Sequence, residues 1–112
     1  MRGPSTEPTV RSRLLSEVLA FVRAARPLSG IVRIALIGSL TTPKPDPKDA
    51  DLLVTVADDA DLAPLARLAR RLQGRAQGFN RGGDVFLADL VDNYLGRTCH
   101  WKECGPGIRL SR

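Results

Sequence analysis

The sequence predicts a small two-layer α+β domain, a mixed sheet of three to five strands flanked by two helices. Two segments repeat apolar residues at three- and four-residue spacing, the pattern of an amphipathic helix. Three shorter segments are continuous apolar runs of strand length. With 112 residues the chain is long enough for one hydrophobic core and too short for two, so we expect residues 1–112 to form a single domain.

The first helix is predicted over Val10–Ala25, where charged residues separate the apolar positions. Pro27 and Gly30 end it. The run Ile31–Ile37 follows, and it is apolar enough to be a central strand. The pair Gly38-Ser39 ends that strand.

The segment from Leu40 to Lys48 contains three prolines, which remove backbone donors, so it is predicted to be a loop. A second strand is predicted over residues 51–56, and the hairpin-like return from the first strand suggests that the two are neighbours. A second helix follows, with Asp58 and Asp59 as capping and first-turn residues and with its end at Gly74.

A third strand is predicted over residues 84–90, after a turn at residues 80–83. Residues 93–112 are expected to form an extended C-terminal tail, and residues 1–9 a flexible lead-in without the apolar run of a secretory signal. No stretch approaches the ~20 consecutive apolar residues that cross a bilayer. We therefore expect a cytoplasmic protein with no membrane partner.

The formal net charge of +5 favours phosphate-bearing partners in general, and a solvated basic surface explains it equally well. Cys99, His100 and Cys104 suggest zinc, but a structural zinc site needs four ligands, and the adjacent Cys99 and His100 are awkward to direct onto one ion. Tyr94 and Trp101 suit either stacking on a nucleobase or packing against the sheet, and we expect packing.

The residues best suited to chemistry flank the proline-containing loop. Asp49 and Asp51 alternate along a strand, so their two carboxylates lie side by side on one face. Their mutual repulsion favours a bound cation, and magnesium commonly binds one or two carboxylates together with substrate phosphates. Ahead of them, Gly38 lets the backbone approach a phosphate, and Ser39 offers a hydroxyl and backbone N–H donors.

A third acidic residue on an adjacent strand would complete such a site, because a base must take the proton from an attacking hydroxyl or help to hold a second metal. Asp84, at the start of the third predicted strand, is the candidate, and Asp89 is the competing candidate. The alternative for each of these acids is an ordinary one, since aspartate is common in turns.

The pattern Gly38, Ser39, Asp49, Asp51 and Asp84 resembles that of the nucleotidyltransferase superfamily with the DNA polymerase beta-like fold. The length resembles that of its minimal members, small proteins often encoded beside a helical partner of the HEPN type. The resemblance covers roughly residues 31–90. It implies transfer of a nucleotidyl group from a nucleoside triphosphate, with ATP as the expected donor, to an acceptor hydroxyl, and release of pyrophosphate.

In that scheme Asp49, Asp51 and Asp84 are the catalytic residues and the ligands of two magnesium ions, while Gly38 and Ser39 bind the nucleotide. The sequence departs from the family pattern in one place. Many members carry an arginine and a further glycine soon after the Gly-Ser pair, whereas here Lys44 and Lys48 are the basic residues of that loop.

This departure keeps a second function open, a catalytically weak protein of the same fold that holds a HEPN-type partner, as an antitoxin in a toxin–antitoxin pair does. A third interpretation is a nucleic-acid-binding protein driven by its basic surface. The short chain leaves no room for a separate acceptor-binding domain, so we expect a partner in either of the first two cases. A homodimer is one further arrangement consistent with the sequence.

Overall fold

The computed structural model describes residues 9–43, 46–98 and 108–109, which form two helices and a five-stranded mixed sheet. The predicted α+β class is therefore confirmed. In chain order the elements are α1 (Val10–Ala25), β1 (Ile31–Ile37), a 3₁₀ turn (Gly38–Thr41), β2 (Asp49–Val56), α2 (Ala63–Gln77), β3 (Gly82–Ala88), β4 (Tyr94–Thr98) and β5 (Ile108–Arg109).

The strands lie side by side in the order β1-β2-β3-β4-β5. β2 and β3 are parallel, with α2 as the crossover between them, and the other pairs are antiparallel. The predicted neighbourhood of the first two strands is confirmed. The predicted central position of Ile31–Ile37 is wrong, because β1 is an edge strand and Val32 on it is 58% exposed. An apolar composition predicts that a face of the strand is buried, but it does not determine whether the strand is central or at the edge of the sheet.

Both helices pack on the same face of the sheet. Alternate residues of β2 and β3 point toward them and join their apolar side chains in one core. The two helices also contact each other, and Arg75 of α2 lies 3.7 Å from Glu17 of α1. The core consists of Leu14, Val18, Phe21, Ala25, Leu40, Ala50, Leu52, Val54, Val56, Leu65, Ala69, Leu72, Ala76, Val85 and Leu87.

The first helix has the predicted bounds. Thr9 caps it, since its hydroxyl accepts a hydrogen bond of 3.0 Å from the Ser12 amide, so this last residue of the predicted lead-in has a structural role. Residues 1–8 lie outside the described residues. No helix in the described part of the chain has both the length and the apolarity to span a membrane.

The second helix differs from its prediction at both ends. Asp58 and Asp59 precede it without capping it, because its N-cap is Leu62, and Asp61 accepts a 3.1 Å hydrogen bond from the Ala63 amide instead. At the other end the helix continues through Gly74 to Gln77. Burial explains the continuation, because Ala76 is fully buried in the core and its packing outweighs the low helix propensity of one glycine.

The third strand is displaced by two residues from its prediction. Gly82 and Gly83 belong to β3 rather than to a turn, because they pair with the first two residues of β2. At the other end β3 stops at Ala88, since the Asp89 amide donates to the carbonyl of Asn93 and closes a tight connection to β4. The predicted extended tail therefore contains strand β4.

Candidate functional site

The sheet register brings three predicted site residues together. Asp51 on β2 pairs directly with Asp84 on β3, and Asp49 pairs with Gly82. Paired residues of adjacent strands, and residues two apart on one strand, share a face. Asp49, Asp51 and Asp84 therefore lie on the face opposite the helices, where neighbouring strands are about 4.8 Å apart.

Asp51 has the most perturbed environment of the three. Burial raises the pKa of its carboxyl, and the negative charges of Asp84 and Asp49 raise that pKa further. Asp51 and Asp84 are each half-buried, whereas Asp49 is exposed. The arrangement thus concentrates negative charge around a partly desolvated carboxylate, which is the environment in which a divalent cation is bound most favourably.

Gly38 lies against Asp51 at the end of β1. Its backbone has φ +76°, a left-handed conformation that favours glycine, and a Cβ atom on it would lie 2.6 Å from Oδ2 of Asp51. Ser39 follows in the 3₁₀ turn. The structure therefore brings Gly38 of the predicted nucleotide-binding pair next to Asp51, and it shows why residue 38 must lack a side chain.

Gly82 lies close to the carboxylate of Asp49, as Gly38 does to that of Asp51. A Cβ atom at residue 82 would overlap Oδ1 of Asp49, so this carboxylate lies over the backbone at the start of β3. Gly82, which the sequence predicts to lie in a turn, is therefore a strand residue in contact with the candidate site.

The 3₁₀ turn that carries Gly38 is anchored to the core. Leu40 is 1% exposed, and its carbonyl accepts a 2.8 Å hydrogen bond from Nη2 of Arg11 on α1. The Thr41 hydroxyl donates a 2.6 Å hydrogen bond to the Gly38 carbonyl. These contacts fix the backbone at Gly38 relative to Asp51.

The chain leading into β2 is held by Arg81, a residue that sequence analysis did not single out. Its Nε donates a 3.0 Å hydrogen bond to the Pro47 carbonyl, and its Nη2 pairs with Asp46. The next amide, that of Gly82, donates to the Lys48 carbonyl at 2.9 Å. Lys48 is exposed, and Lys44 of the same loop lies outside the described residues.

Arg97 is a second residue that sequence analysis missed. It lies on β4 opposite Phe86, and its Nη1 is 3.8 Å from Oδ1 of Asp84. The sequence does not identify Arg97 as a site residue, because residues 93–112 are predicted to form a tail. No local pattern indicates that Arg97 lies on a strand next to Asp84. The site therefore contains one guanidinium beside its three carboxylates.

Asp89, the competitor for the third acid, has a different role. It lies beyond the opposite end of β3, where its carboxylate accepts hydrogen bonds from the Val91 and Asn93 amides at 3.0 and 2.9 Å. The hydrogen bond from the Asn93 amide is the largest influence on the Asp89 carboxyl, and it lowers the pKa. The structure thus brings Asp84, and not Asp89, next to Asp51.

The donor chemistry of the carboxylates fits magnesium, which takes oxygen ligands and retains bound water. Asp51 and Asp84, with Asp49 two residues away, would hold the ion. Within the described ranges, however, no group of three acidic, histidine or cysteine side chains converges closely enough to hold a metal ion. Asp49 lies over Gly82 and Asp84 lies beside Arg97, so binding requires these two side chains to turn toward Asp51.

Cys99, His100, Trp101 and Cys104 lie outside the described residues, as does any zinc site built from them. Comparison with known proteins found no match to this chain among family models, curated proteins or solved structures.

Proposed function

We propose that this chain is a metal-dependent nucleotidyltransferase, which moves a nucleoside monophosphate from a nucleoside triphosphate, with ATP as the expected donor, to an acceptor hydroxyl. The observation that carries the proposal is the register that pairs Asp51 with Asp84 beside Gly38. Carboxylates on adjacent strands can bind the metal ions of such a transfer, and a glycine-containing turn lets the backbone approach a phosphate.

Each residue has a role in this proposal. Asp49 and Asp51, together with Asp84, would hold magnesium, which would supply positive charge to stabilise the attacking and leaving oxygens. Asp84 takes the proton from the acceptor hydroxyl. The backbone at Gly38 and Ser39 contacts the phosphates. A bond forms between the acceptor oxygen and the α-phosphorus, the bond from that phosphorus to the bridging oxygen breaks, and pyrophosphate leaves.

The electrostatics support this assignment. Burial is the largest cause of the raised pKa of Asp51, and repulsion from Asp84 and Asp49 raises it further. A bound magnesium ion would offset that repulsion, so the residues that weaken the metal-free protein would gain favourable interactions in the metal-bound one.

The direct test is calorimetric titration of ATP with and without magnesium into the wild type and the Asp49→Asn, Asp51→Asn double variant. We expect magnesium-dependent binding that weakens at least about tenfold, roughly 1.4 kcal/mol, in the double variant. The matched control replaces Asp58 and Asp59, an exposed acidic pair after β2, with asparagine and should bind like the wild type. Equal magnesium-dependent binding by all three proteins would show that Asp49 and Asp51 do not bind the metal and its nucleotide.

One observation favours a second candidate function, the module that holds a partner protein without turnover. Asp84 lies 3.8 Å from Arg97, so a guanidinium lies beside the carboxylate that the transferase would use as its base. Absence of magnesium-dependent nucleotide binding by the wild type would favour this module over the transferase.

A further inference from the structure

The sheet face that carries the acids also carries an apolar surface one step further along the strands. In the sheet register, Leu53 pairs with Phe86 across β2 and β3, and Phe86 pairs with Arg97 across β3 and β4. This row lies two residues from the row of Asp51 and Asp84, a separation of about 6.6 Å along a strand. Acidic and apolar groups are therefore adjacent on one surface.

Tyr94 lies one row further from the acids, because it pairs with Ala88 across β3 and β4. The ring centroids of Tyr94 and Phe86 are 6.4 Å apart, with the rings tilted by 48°. We call Leu53, Phe86 and Tyr94 the aromatic shelf. Leu53 and Phe86 are half-buried, and Tyr94 is 48% exposed, so the expected packing against the sheet accounts for only part of its surface. The two rings are tilted rather than stacked on each other, and the exposed part of Tyr94 offers surface to a further planar group.

The charges around the shelf point to the kind of ligand. Arg97 lies beside Phe86, between the row of Tyr94 and the row of Asp84, with its side chain 28% exposed. A nucleotide has a matching layout, since a flat, largely apolar base and an anionic phosphate are joined by one pentose. The aromatic surface, the guanidinium and the acidic row therefore follow one another in the same order as the base, the sugar and the phosphates of a nucleotide.

We infer that the aromatic shelf binds the nucleobase of the triphosphate, with Arg97 beside the sugar-phosphate junction and the phosphates at the acidic row. The inference rests on the proposed function for the phosphate end, and it assigns the base end to residues of β2, β3 and β4. Stacking is tolerant of base identity, so the shelf accepts purine triphosphates in general and gains most from the larger purine ring.

The test compares ATP with inorganic tripolyphosphate, which has the phosphates and no base, both with magnesium. In Tyr94→Ala we expect ATP affinity to fall about fivefold or more and tripolyphosphate affinity to stay unchanged. Tyr94→Phe keeps the ring and should retain ATP affinity. Val91→Ala removes a 75% exposed apolar side chain from the same hairpin and serves as the control. Equal ATP affinity in Tyr94→Ala and the wild type, or equal losses for both ligands, would overturn the shelf.

A second measurement separates the shelf from the metal site. Adenosine without magnesium should shift the backbone amide resonances of Leu53, Phe86 and Tyr94 and leave those of the helices unchanged. Adenosine that shifts no shelf amide overturns the inference, whatever tripolyphosphate does. Shelf shifts without any magnesium-dependent tripolyphosphate binding would support a nucleobase site and overturn the transferase. A single-stranded oligonucleotide is also titrated against bound ATP. If it displaces ATP from the wild type and fails to bind Tyr94→Ala, the shelf binds a base of the acceptor, and the assignment to the triphosphate is overturned.

Discussion

The folded-state pKa of Asp51 is raised by burial and by the negative charges of Asp84 and Asp49. A raised pKa means that the folded protein binds this proton more tightly than the unfolded chain does. The stabilisation from that proton is present at low pH and is lost as the pH rises from the unfolded pKa through the folded pKa. Asp51 therefore lowers stability at neutral pH when no cation is bound.

Replacing Asp51 with asparagine should raise the melting temperature at pH 7 without divalent ions, and the gain should vanish near pH 3. Because the carboxyl remains partly solvated, the effect should stay below about 1 kcal/mol, or about 4–8 °C. Thermal unfolding at the two pH values measures it, with the exposed Asp58→Asn as the control. A variant less stable than the wild type at pH 7 would contradict the electrostatic description.

Gly38 and Gly74 offer a matched pair at the same scale. Gly38→Ala meets both a positive φ and Oδ2 of Asp51, so it should destabilise the fold by about 1–3 kcal/mol. Gly74→Ala, in α2 with no atom within 4 Å of the added Cβ, should stabilise it by about 0.5–1 kcal/mol. Denaturant unfolding of the two variants measures both changes in the free energy of unfolding, which should have opposite signs. Similar effects from the two substitutions would contradict the close contact of Gly38 with Asp51.

Among the elements, Arg81 holds the chain before β2 against the start of β3. Removing its side chain in Arg81→Ala eliminates the bond to the Pro47 carbonyl, worth about 1 kcal/mol, and should speed hydrogen exchange of the Gly82 amide about fivefold. Arg67→Ala, at an exposed position of α2, is the control. Unchanged exchange at Gly82 would show that the loop is held by other contacts.

The elements whose bounds were predicted correctly end at strong local signals. α1 stops before Pro27, and β1 stops at Gly38, a residue that adopts positive φ. The wrong bounds lie where tertiary contacts override local preference. α2 passes Gly74 because Ala76 packs in the core, and Gly82 joins β3 because the backbone of β2 pairs with it. Neither of these contacts can be predicted from the periodicity of the sequence.

For the whole molecule, placing both helices on one face leaves the other to the carboxylates and the aromatic shelf. The sequence was sufficient to predict that Asp49, Asp51 and Gly38 lie near one another, because strand alternation and the spacing from the glycine are local properties. It was insufficient for Arg97 and for the choice between Asp84 and Asp89, because those depend on the register of β2, β3 and β4. Register is set by pairing between segments distant in the chain.

The most direct measurement of the central claim is paramagnetic broadening of amide resonances by manganese, which binds the same oxygen ligands as magnesium. Substoichiometric manganese should broaden the amides of Asp49, Asp51, Asp84 and Gly38 first, and the Asp49→Asn, Asp51→Asn variant should lose that broadening. Broadening centred on the exposed acids at residues 58, 59 and 61, with the paired carboxylates of β2 and β3 unaffected, would contradict the claim that these strands form a metal site.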